Sequence, residues 1–383
     1  MYKRQILNIA ATGGHVFDLV TTEGFHGVRM ENGSFFSVYS TIKRCKNCGE
    51  QISDEVKVCP FCGSELKDKI DVVKSLQQVA REVDFILVGT DADAEGEKIG
   101  YDVSNVLLNP NKERVEFHEV TKKALSLALK NPRKLDKRMV EAQIVRRVED
   151  RWLGFELSRK LWEKFGGSRL SAGRVQTPVL GWVIDRVKEA KRKYGLLILE
   201  GDGFKVKLTI PDVEKAESLL KTLETINVKT EGVKVEEVNP PPPLSTDAMI
   251  REASRLLGFD APLTMQLAQD LFEAGVITYH RTDSIRVSTA GMSVAHRYMA
   301  ENGMEELYKP RKWSEAGAHE CIRPTRPLDV EQIRLMLYTG ALKGRLTGKH
   351  LRLYDLVFRR FMASQAVEAE VKKKTVRIRA GSH

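Results

Sequence analysis

Two closely spaced cysteine pairs constrain the fold of this 383-residue chain more than any other feature. The pairs have two residues inside each and ten between them, and a glycine follows each pair so that the backbone can turn and aim amides at the sulfurs. Four thiolates at this spacing predict a closed tetrahedral Zn²⁺ site that folds a small knuckle at about residues 41–66 and does no chemistry. Two disulfides are the alternative interpretation. The four cysteines are Cys45, Cys48, Cys59 and Cys62.

The fifth cysteine, the overall charge and the absence of long apolar runs limit the binding partners and the cellular locations that are possible. Cys321 is predicted to be a buried free thiol. The chain carries 62 Lys and Arg against 52 Asp and Glu, a net charge of +10, which favours a polyanionic partner. A protein that is merely basic is the alternative. No apolar run of about 18 residues spans a bilayer, and no apolar segment follows the first five residues. We therefore predict a cytoplasmic protein of two to four domains that does not enter the membrane.

The pattern of apolar residues predicts an α/β layer near the start of the chain. A strand at 5–11, a Gly-Gly-His turn and a strand at 16–20 precede the knuckle. Helical spacing over 72–83 and an apolar strand at 85–88 then indicate a central parallel sheet. A short strand at 114–117 and a helix capped by Thr121 follow. Further helices are predicted at 135–162, 179–193, 246–257, 262–274, 288–302, 330–337 and 350–363, with a β-rich stretch at 196–238 and a polyproline connector at 240–243.

Three acids follow the apolar strand at alternate positions, Asp91, Asp93 and Glu95. Alternation at a strand end would place their carboxylates on one side, and oxygen ligands of this kind suit Mg²⁺. Open α/β sheets also place their sites at the carboxyl ends of the strands. A solvated acidic loop is the alternative.

Tyr279 lies in the run ITYHRTDS at residues 277–284, two residues before Arg281. A phenol with an ordinary pKa of about 10 is a poor nucleophile at neutral pH, so a nearby cation would be needed to stabilise phenolate and phosphate. Strand alternation would give both side chains a common face. A half-buried strand that happens to carry both residues is the alternative.

Several blocks together resemble one family. Residues 90–97 (TDADAEGE) resemble the acidic motif of the Toprim domain, and residues 171–178 (SAGRVQTP) resemble the DNA-binding motif of type IA DNA topoisomerases. Residues 279–284 are similar to the active-site tyrosine motif of that family. Further blocks match at 318–324 and 354–365, in the family's order. The knuckle and residues 13–19 (GGHVFDL) resemble the reverse gyrase branch.

The resemblance implies a multidomain chain that combines α/β, α and β parts in an incomplete form of the family's toroid. Its predicted domains are a partial Toprim domain with the inserted knuckle at 1–122, a helical DNA-binding domain at 123–195, the first part of a β-rich arch at 196–245, a mainly helical tyrosine-bearing domain at 246–358 and the start of a return into the arch at 359–383.

The resemblance also implies an activity. Tyr279 would cleave one DNA strand through a 5′-phosphotyrosine link, which allows strand passage and religation. Arg281 would stabilise the charged phosphate, and His319 and Arg323 would hold neighbouring phosphate oxygens. Asp91 and Asp93, with Glu95 behind them, would hold Mg²⁺. Contacts to single-stranded DNA are implied for His15, Arg147, Arg151, Arg174 and Gln176.

The chain departs from the family pattern in three ways. The first Toprim strand with its Glu is missing, the sequence stops soon after residues 363–365, and no ATPase phosphate-binding loop is visible. We therefore expect either a fragment or one polypeptide of a split enzyme whose partner supplies that strand and the ATPase, and poor cleavage by the chain alone. An ATP-independent relaxing topoisomerase and a non-catalytic DNA-binding subunit are the alternatives.

Overall fold

The computed structural model describes residues 7–167, 169–201, 204–222, 226–315, 319–342 and 344–380. The chain divides into two units. The first contains the residues up to Trp152 together with Pro240–Val367, and the second contains Leu153–Asn239 and the residues from Glu368 onward. None of the described helices is long and apolar enough to cross a membrane. Gln5, the first residue of the predicted opening strand, and Ala318, the first residue of the histidine block, lie outside the described residues.

Short antiparallel strands open the first unit. They are β1 (Phe17–Leu19), β2 (Val28–Glu31), β3 (Ser34–Ser37), β4 (Tyr39–Thr41), β5 (Lys43–Cys45), β6 (Gln51–Ile52) and β7 (Leu66–Asp68). β1 pairs with β4, β2 with β3, and β5 lies between β6 and β7. The predicted opening strand is wrong for residues 7–11, which are irregular and pair with none of the described strands.

An α/β layer follows, as predicted. It consists of α1 (Ile70–Arg81), β8 (Ile86–Gly89), α2 (Ala94–Val106), β9 (Lys112–Val115) and α3 (Lys122–Lys130). β8 and β9 are parallel, with Val88 opposite Arg114. Thr121 caps α3, because its hydroxyl accepts the backbone N–H of Ala124 at 3.2 Å. Since the carboxyl ends of parallel strands meet at one edge, residues after β8 and β9 come close together.

The second unit is built from helices and two sheets of two strands each. It receives the end of α4 (Lys137–Phe165) and contains α5 (Gln176–Ala190), β10 (Gly195–Gly201), β11 (Phe204–Ile210), α6 (Val213–Thr222), β12 (Ile226–Val238) and β13 (Ala369–Ala380). The pairs β10–β11 and β12–β13 are antiparallel. The prediction of a β-rich stretch at 196–238 missed α6. Asp212 caps this helix, because its carboxylate accepts the N–H of Glu214 at 2.9 Å.

Helices around a large apolar core complete the first unit. They are α7 (Thr246–Leu257), α8 (Ala261–Glu273), α9 (Thr289–Glu301), α10 (Val330–Tyr338) and α11 (Gly348–Ser364). All five were predicted within one or two residues at each end. Their buried residues form one cluster that includes Tyr279 and Cys321. Cys321 is a fully buried free thiol, as predicted, and burial raises its pKa to about 12.

Candidate active site

Tyr279 lies in an irregular segment between α8 and α9, not in a strand as the sequence predicted. Isolated backbone contacts hold this segment: the N–H of Tyr279 donates to the carbonyl of His118 at 2.8 Å, and that of Thr278 donates to Arg323 at 2.9 Å. The Tyr279 ring packs edge-on against Phe272, with 5.2 Å between ring centroids. Tyr279 is 3% exposed, so its position is fixed by packing as well as by the backbone.

The phenol of Tyr279 meets one of the predicted acids. Its hydroxyl donates to Oδ2 of Asp93 at 2.7 Å. The other carboxylate oxygen of Asp93 accepts the N–H of Gly96 at 2.7 Å and so caps α2. Burial, followed by the contact with Asp93, raises the pKa of Tyr279 far above its ordinary value, so the resting phenol is neutral. Asp93 is therefore placed to accept the phenol proton.

The three acids are arranged by a loop and a helix start rather than by strand alternation. Asp91 lies in the loop after β8, Asp93 begins α2, and Glu95 is in its first turn. Burial and the neighbouring charge of Asp93 raise the pKa of Asp91. Glu95 instead contacts Nε2 of His15 at 2.9 Å. Strand alternation therefore does not arrange these acids, because Asp93 caps a helix and Glu95 lies in its first turn. A role for Glu95 in holding a metal stays a prediction.

A fully buried arginine supports the acidic loop. Arg114 donates to the backbone carbonyls of Thr90 at 2.9 Å and Asp91 at 2.7 Å. It also pairs with the buried carboxylate of Glu97 at 3.1 Å, which Arg133 contacts at 2.8 Å from the other side. Each charge in this group has a partner, as a buried ion pair requires. The loop that carries Asp91 is thereby fixed.

Arg281 is exposed beside the buried tyrosine. Its positive charge favours the ionised forms of Asp91 and Tyr279 and so partly offsets the rise in the pKa of each. A guanidinium at the mouth of the site can therefore stabilise negative charge that develops there.

The two residues of the histidine block occupy different places. His319 lines a small cavity with Tyr279, Thr278 and Thr282, and among the described residues its Nδ1 has no hydrogen-bond partner. Arg323 is 2% exposed and lies behind that cavity. It donates to Glu320 at 2.7 Å and to Glu119 at 3.2 Å. Because Arg323 is buried and its charge is paired with two carboxylates, it supports the pocket; its predicted contact with a phosphate stays a prediction.

Two of the predicted DNA contacts surround a buried acid. Arg147 donates to Oδ1 of Asp18 at 3.0 Å, and Arg151 lies 3.5 Å from the same oxygen. Arg147 remains half exposed, whereas Arg151 is buried and also donates to the carbonyl of Leu19 at 3.1 Å. Arg147 can thus reach a ligand, while Arg151 positions Asp18. Arg174 and Gln176 belong to the second unit, where Gln176 begins α5 and donates to Ser171 at 3.2 Å.

Sequence reasoning missed the residues that follow β9. The ring of His118 lies 5.6 Å from that of His319, centroid to centroid, and contacts Glu116 at 3.2 Å. The hydrogen bond from His118 lowers the pKa of Glu116 to about 2. Glu119 pairs with Arg323. The parallel pairing of β8 and β9 was the available signal, because it brings the ends of both strands to one edge.

The four knuckle cysteines converge. Their sulfurs all lie within 4.8 Å of one another, and no other group of three or more potential ligands does so within the described part of the chain. Cys45 and Cys62 are 3.4 Å apart, and Cys48 and Cys59 are 3.6 Å apart. A tetrahedron with Zn–S bonds of about 2.3 Å has sulfurs about 3.8 Å apart. The donor set and its spacing therefore fit Zn²⁺.

The turn at the first cysteine pair supplies amides as predicted. Gly49 and Gly63 have positive φ, and the N–H groups of Asn47 and Cys48 point at Sγ of Cys45, at 3.4 and 3.5 Å.

Comparisons with known proteins agree with this geometry. The family described as DNA topoisomerase matches residues 134–383, and the Toprim domain matches residues 1–120. The chain belongs to the type IA DNA topoisomerase family. It is 51% identical to the reverse gyrase of Pyrococcus furiosus over 96% of the chain, and 45% identical to reverse gyrase 1 of Aquifex aeolicus over 97%. In each case it covers 31% of the relative.

A solved structure gives the same assignment. The full-length topoisomerase I of Thermotoga maritima matches with a TM-score of 0.71 and 29% identity, over 97% of this chain and 61% of that one. The chain is thus a topoisomerase module homologous to the topoisomerase region of reverse gyrases, and it spans about a third of the length of those curated relatives.

Proposed function

We propose that this topoisomerase module breaks and rejoins single-stranded DNA through Tyr279. The phenol oxygen attacks a backbone phosphate, the P–O bond to the 3′-oxygen breaks, and the 5′-phosphoryl end stays on the tyrosine. Because one phosphodiester is exchanged for another, religation is the reverse step and needs no external energy. The observation that carries this proposal is the 2.7 Å contact between the Tyr279 hydroxyl and Asp93.

Proton movement follows from that contact. Asp93 accepts the phenol proton as the bond from the phenol oxygen to phosphorus forms. The departing 3′-oxygen takes a proton from solvent water, and Asp93 later releases its proton to solvent, so the count of protons is unchanged. The neutral resting phenol becomes nucleophilic only while this transfer proceeds, since its raised pKa disfavours free phenolate.

Charge on the phosphate is stabilised from two sides. Arg281 is exposed at the site and can approach phosphate oxygens, and His319 lies next to the phenol, where it would do so when DNA enters. Arg323 acts as a positioning residue. It bridges Glu119 and Glu320, and its backbone carbonyl accepts the N–H of Thr278, next to the nucleophile.

Two metals would bind in the first unit. Asp91 and Asp93, with Glu95 nearby, would hold Mg²⁺, and the burial and mutual repulsion that raise the pKa of Asp91 are what a divalent cation relieves. When bound, Mg²⁺ would neutralise these carboxylates and help to orient the 3′-hydroxyl. Zn²⁺ on the four cysteines would hold the knuckle together and perform no chemistry.

Single-stranded DNA would contact polar and basic side chains in each unit. In the first unit the proposed contacts are His15 and Arg147, with Arg151 holding Asp18 in place. In the second unit they are Arg174 and Gln176. Such contacts position a backbone without reading bases. Strand passage, the supply of an ATPase by a further segment or partner, and a cytoplasmic location belong to the same proposal.

Transfer of label from DNA to protein tests the cleavage reaction. The chain is incubated with Mg²⁺ and a single-stranded oligonucleotide labelled at its 3′ end or, separately, at its 5′ end. A 5′-phosphotyrosine link predicts that only the 3′-labelled strand labels the protein, because the downstream fragment stays attached. Peptide mapping should place the label on Tyr279.

Two variants control this experiment. Tyr279→Phe should abolish the adduct while DNA binding persists, and Tyr338→Phe, at a residue that is 90% exposed, should behave as the wild type. Because the chain alone is expected to cleave poorly, the adduct is compared between wild type and Tyr279→Phe at equal exposure. Label that arrives from the 5′-labelled strand, or an adduct of equal yield in wild type and Tyr279→Phe, contradicts the proposal.

A further inference from the structure

His118 lines the cavity of the nucleophile, but the proposed reaction gives its side chain no role. It follows β9, and its ring and that of His319 form part of the wall beside Tyr279. The backbone carbonyl of His118 accepts the N–H of Tyr279 at 2.8 Å, which fixes its position relative to the nucleophile. The side chain of His118 is 33% exposed, so a ligand that enters the cavity can reach the ring.

A carboxylate contacts one nitrogen of the His118 ring. Nε2 lies 3.2 Å from a carboxylate oxygen of Glu116. Glu116 is ionised at neutral pH, because its hydrogen bond with His118, followed by that with Arg133, lowers its pKa to about 2. An ionised carboxylate can only accept hydrogen bonds, so Nε2 of His118 carries a proton. The second nitrogen, Nδ1, has no hydrogen-bond partner among the residues that the structure describes.

Glu116 is itself held by a network of charges. Arg133 donates to Glu116 and to the buried carboxylate of Glu97, each at 2.8 Å. Glu97 also pairs with Arg114, the arginine that supports the acidic loop. The carboxylate of Glu116 is therefore in place before DNA binds, and it keeps the ring of His118 at the wall of the cavity.

His118 and His319 form a pair of imidazoles beside the phenol. Their rings meet edge to face, with 5.6 Å between centroids and 79° between planes. Nδ1 of His319 is buried and, like Nδ1 of His118, has no partner in the described part of the chain. Phosphate oxygens accept hydrogen bonds from protonated imidazole nitrogens, and the opposite charges strengthen such bonds. A phosphate that reaches Tyr279 is therefore a suitable partner for both rings.

Two carboxylates are among the titratable groups that face His118. These groups are Glu116 on its own segment and Tyr279, His319 and Glu320 on the other walls of the cavity. Glu320 is ionised, because the charge of a neighbouring arginine outweighs burial and lowers its pKa. The phenol is neutral, as described above. A bound phosphate would add a further negative charge to these two, and negative charge beside an imidazole favours the protonated ring.

We propose that His118 binds a nonbridging oxygen of the phosphate that Tyr279 attacks, and that its ring does so in the protonated form. Nε2–H then donates to Glu116 and Nδ1–H donates to the phosphate, and the proton on Nδ1 comes from solvent. His118 is thus a further catalytic residue, next to Arg281 and His319. This inference rests on the proposed function, because it takes the phosphate beside Tyr279 as the ligand.

Affinity for single-stranded DNA tests this contact without any cleavage. All proteins carry Tyr279→Phe, which prevents the adduct, and the dissociation constant of a fluorescent oligonucleotide is measured by anisotropy. His118→Gln should weaken binding about fivefold at about pH 6 and about 0.1 M salt, which is the effect of one phosphate contact less on a single strand. The difference should shrink as the pH is raised to about 8, because the ring of the parent then loses the proton that it donates to the phosphate.

Two variants separate the role of the charge from a structural role. His118→Lys keeps a positive charge at the cavity and should retain most of the affinity at both pH values. His296→Gln removes an exposed histidine that pairs with Glu305 and does not line the cavity, so it should bind as the parent does. Equal affinity of His118→Gln and the parent at about pH 6, or a loss of the same size at both pH values, overturns the proposal.

NMR of the histidine rings is a second measurement, and it keeps the native side chain in place. The chain has eight histidines, and the ring signal that disappears in His118→Lys belongs to His118. A saturating concentration of the oligonucleotide should move this signal towards that of a protonated ring at about pH 7. A signal that does not move on saturation overturns the proposal.

The two proposals fail in different ways. An adduct of equal yield in wild type and Tyr279→Phe, with the affinity difference at His118 intact, would overturn cleavage alone. An adduct confined to the wild type, without that affinity difference, would overturn the role of His118 alone.

Discussion

The Tyr279 pocket and the zinc knuckle lie in the same unit but differ in what stabilises them. Tyr279 packs into a large apolar core with Phe272 and the helices around it. The knuckle core contains three buried apolar residues, and two of them belong to the cysteine cluster that we propose binds zinc. So small a core cannot offset the entropy of ordering its chain. The comparison teaches that packing fixes the site of the proposed chemistry, whereas a region with too little apolar surface needs a cross-link such as the proposed thiolate coordination.

Removing one thiolate should give the largest difference in stability between the two regions. Cys59→Ser should lose zinc and unfold the knuckle, because metal binding of about 10–16 kcal/mol is the folding energy of such a module. Limited trypsin digestion should then cut after Lys46 and Lys57 while the core around Tyr279 stays protected. Metal analysis and mass spectrometry measure both effects.

Cys321→Ala is the control for thiol removal. Cys321 is buried in the large apolar core and is not one of the four clustered cysteines. It should keep its zinc and an intact knuckle. If Cys59→Ser instead exposes the Tyr279 core to trypsin at the same rate as the knuckle, the two regions do not have separate sources of stability.

Removing one buried charge should test the pocket in the same way. Arg323→Met leaves Glu119 and Glu320 without their buried partner, which should cost about 3–5 kcal/mol of unfolding free energy. Urea denaturation measures this loss. Arg334→Met, which removes an exposed pair with Glu331, should cost about 0–1 kcal/mol. Equal losses in the two variants would show that the pocket does not depend on its buried ion pairs.

The smallest expected effect is a dependence on pH next to the nucleophile. His280 is fully buried, neither ring nitrogen has a partner among the described residues, and burial lowers its pKa to about 4. A group whose pKa is depressed on folding stabilises the protein above its unfolded pKa, about 6.5, and this stability is lost as pH falls towards 4. The loss should reach about 3 kcal/mol.

Replacing the histidine sharpens that expectation. His280→Leu should flatten the dependence of unfolding free energy on pH between about 6.5 and 4, measured by urea denaturation. His296→Leu, at an exposed histidine, should leave it largely unchanged. A His280→Leu protein that loses stability on acidification as steeply as the wild type would place the titrating groups elsewhere.

The sequence predicted the helices of the tyrosine-bearing region well because their ends are marked locally. α7 begins after Ser245 and ends before Gly258, which takes the left-handed conformation, and both signals can be read from the chain. α6 was missed although Asp212 provides a comparable cap, because the surrounding alternation of apolar residues was interpreted as strand throughout. The division into domains stays a prediction.

The residues of the candidate site could be predicted from the sequence, but the contacts that each side chain makes could not. Blocks of sequence brought Tyr279 and Asp93 to attention, and the structure brings their side chains together. The contact of Glu95 with His15 joins residues 80 positions apart, and the buried pair of Arg323 with Glu119 joins residues 204 positions apart in the chain. Neither spacing nor composition encodes such long-range pairing, because it is fixed only when the strands and helices pack.

The hydrogen bond between Tyr279 and Asp93 also governs which molecules the nucleophile can attack. A phenol that is almost wholly shielded from water and bound to a carboxylate offers small dissolved electrophiles no accessible oxygen. Only a molecule that binds well enough to intrude on that bond gains access to it. The site therefore selects a ligand by its ability to displace the hydrogen bond between Tyr279 and Asp93. While no DNA strand is bound, the same hydrogen bond protects the tyrosine from modification by other reagents.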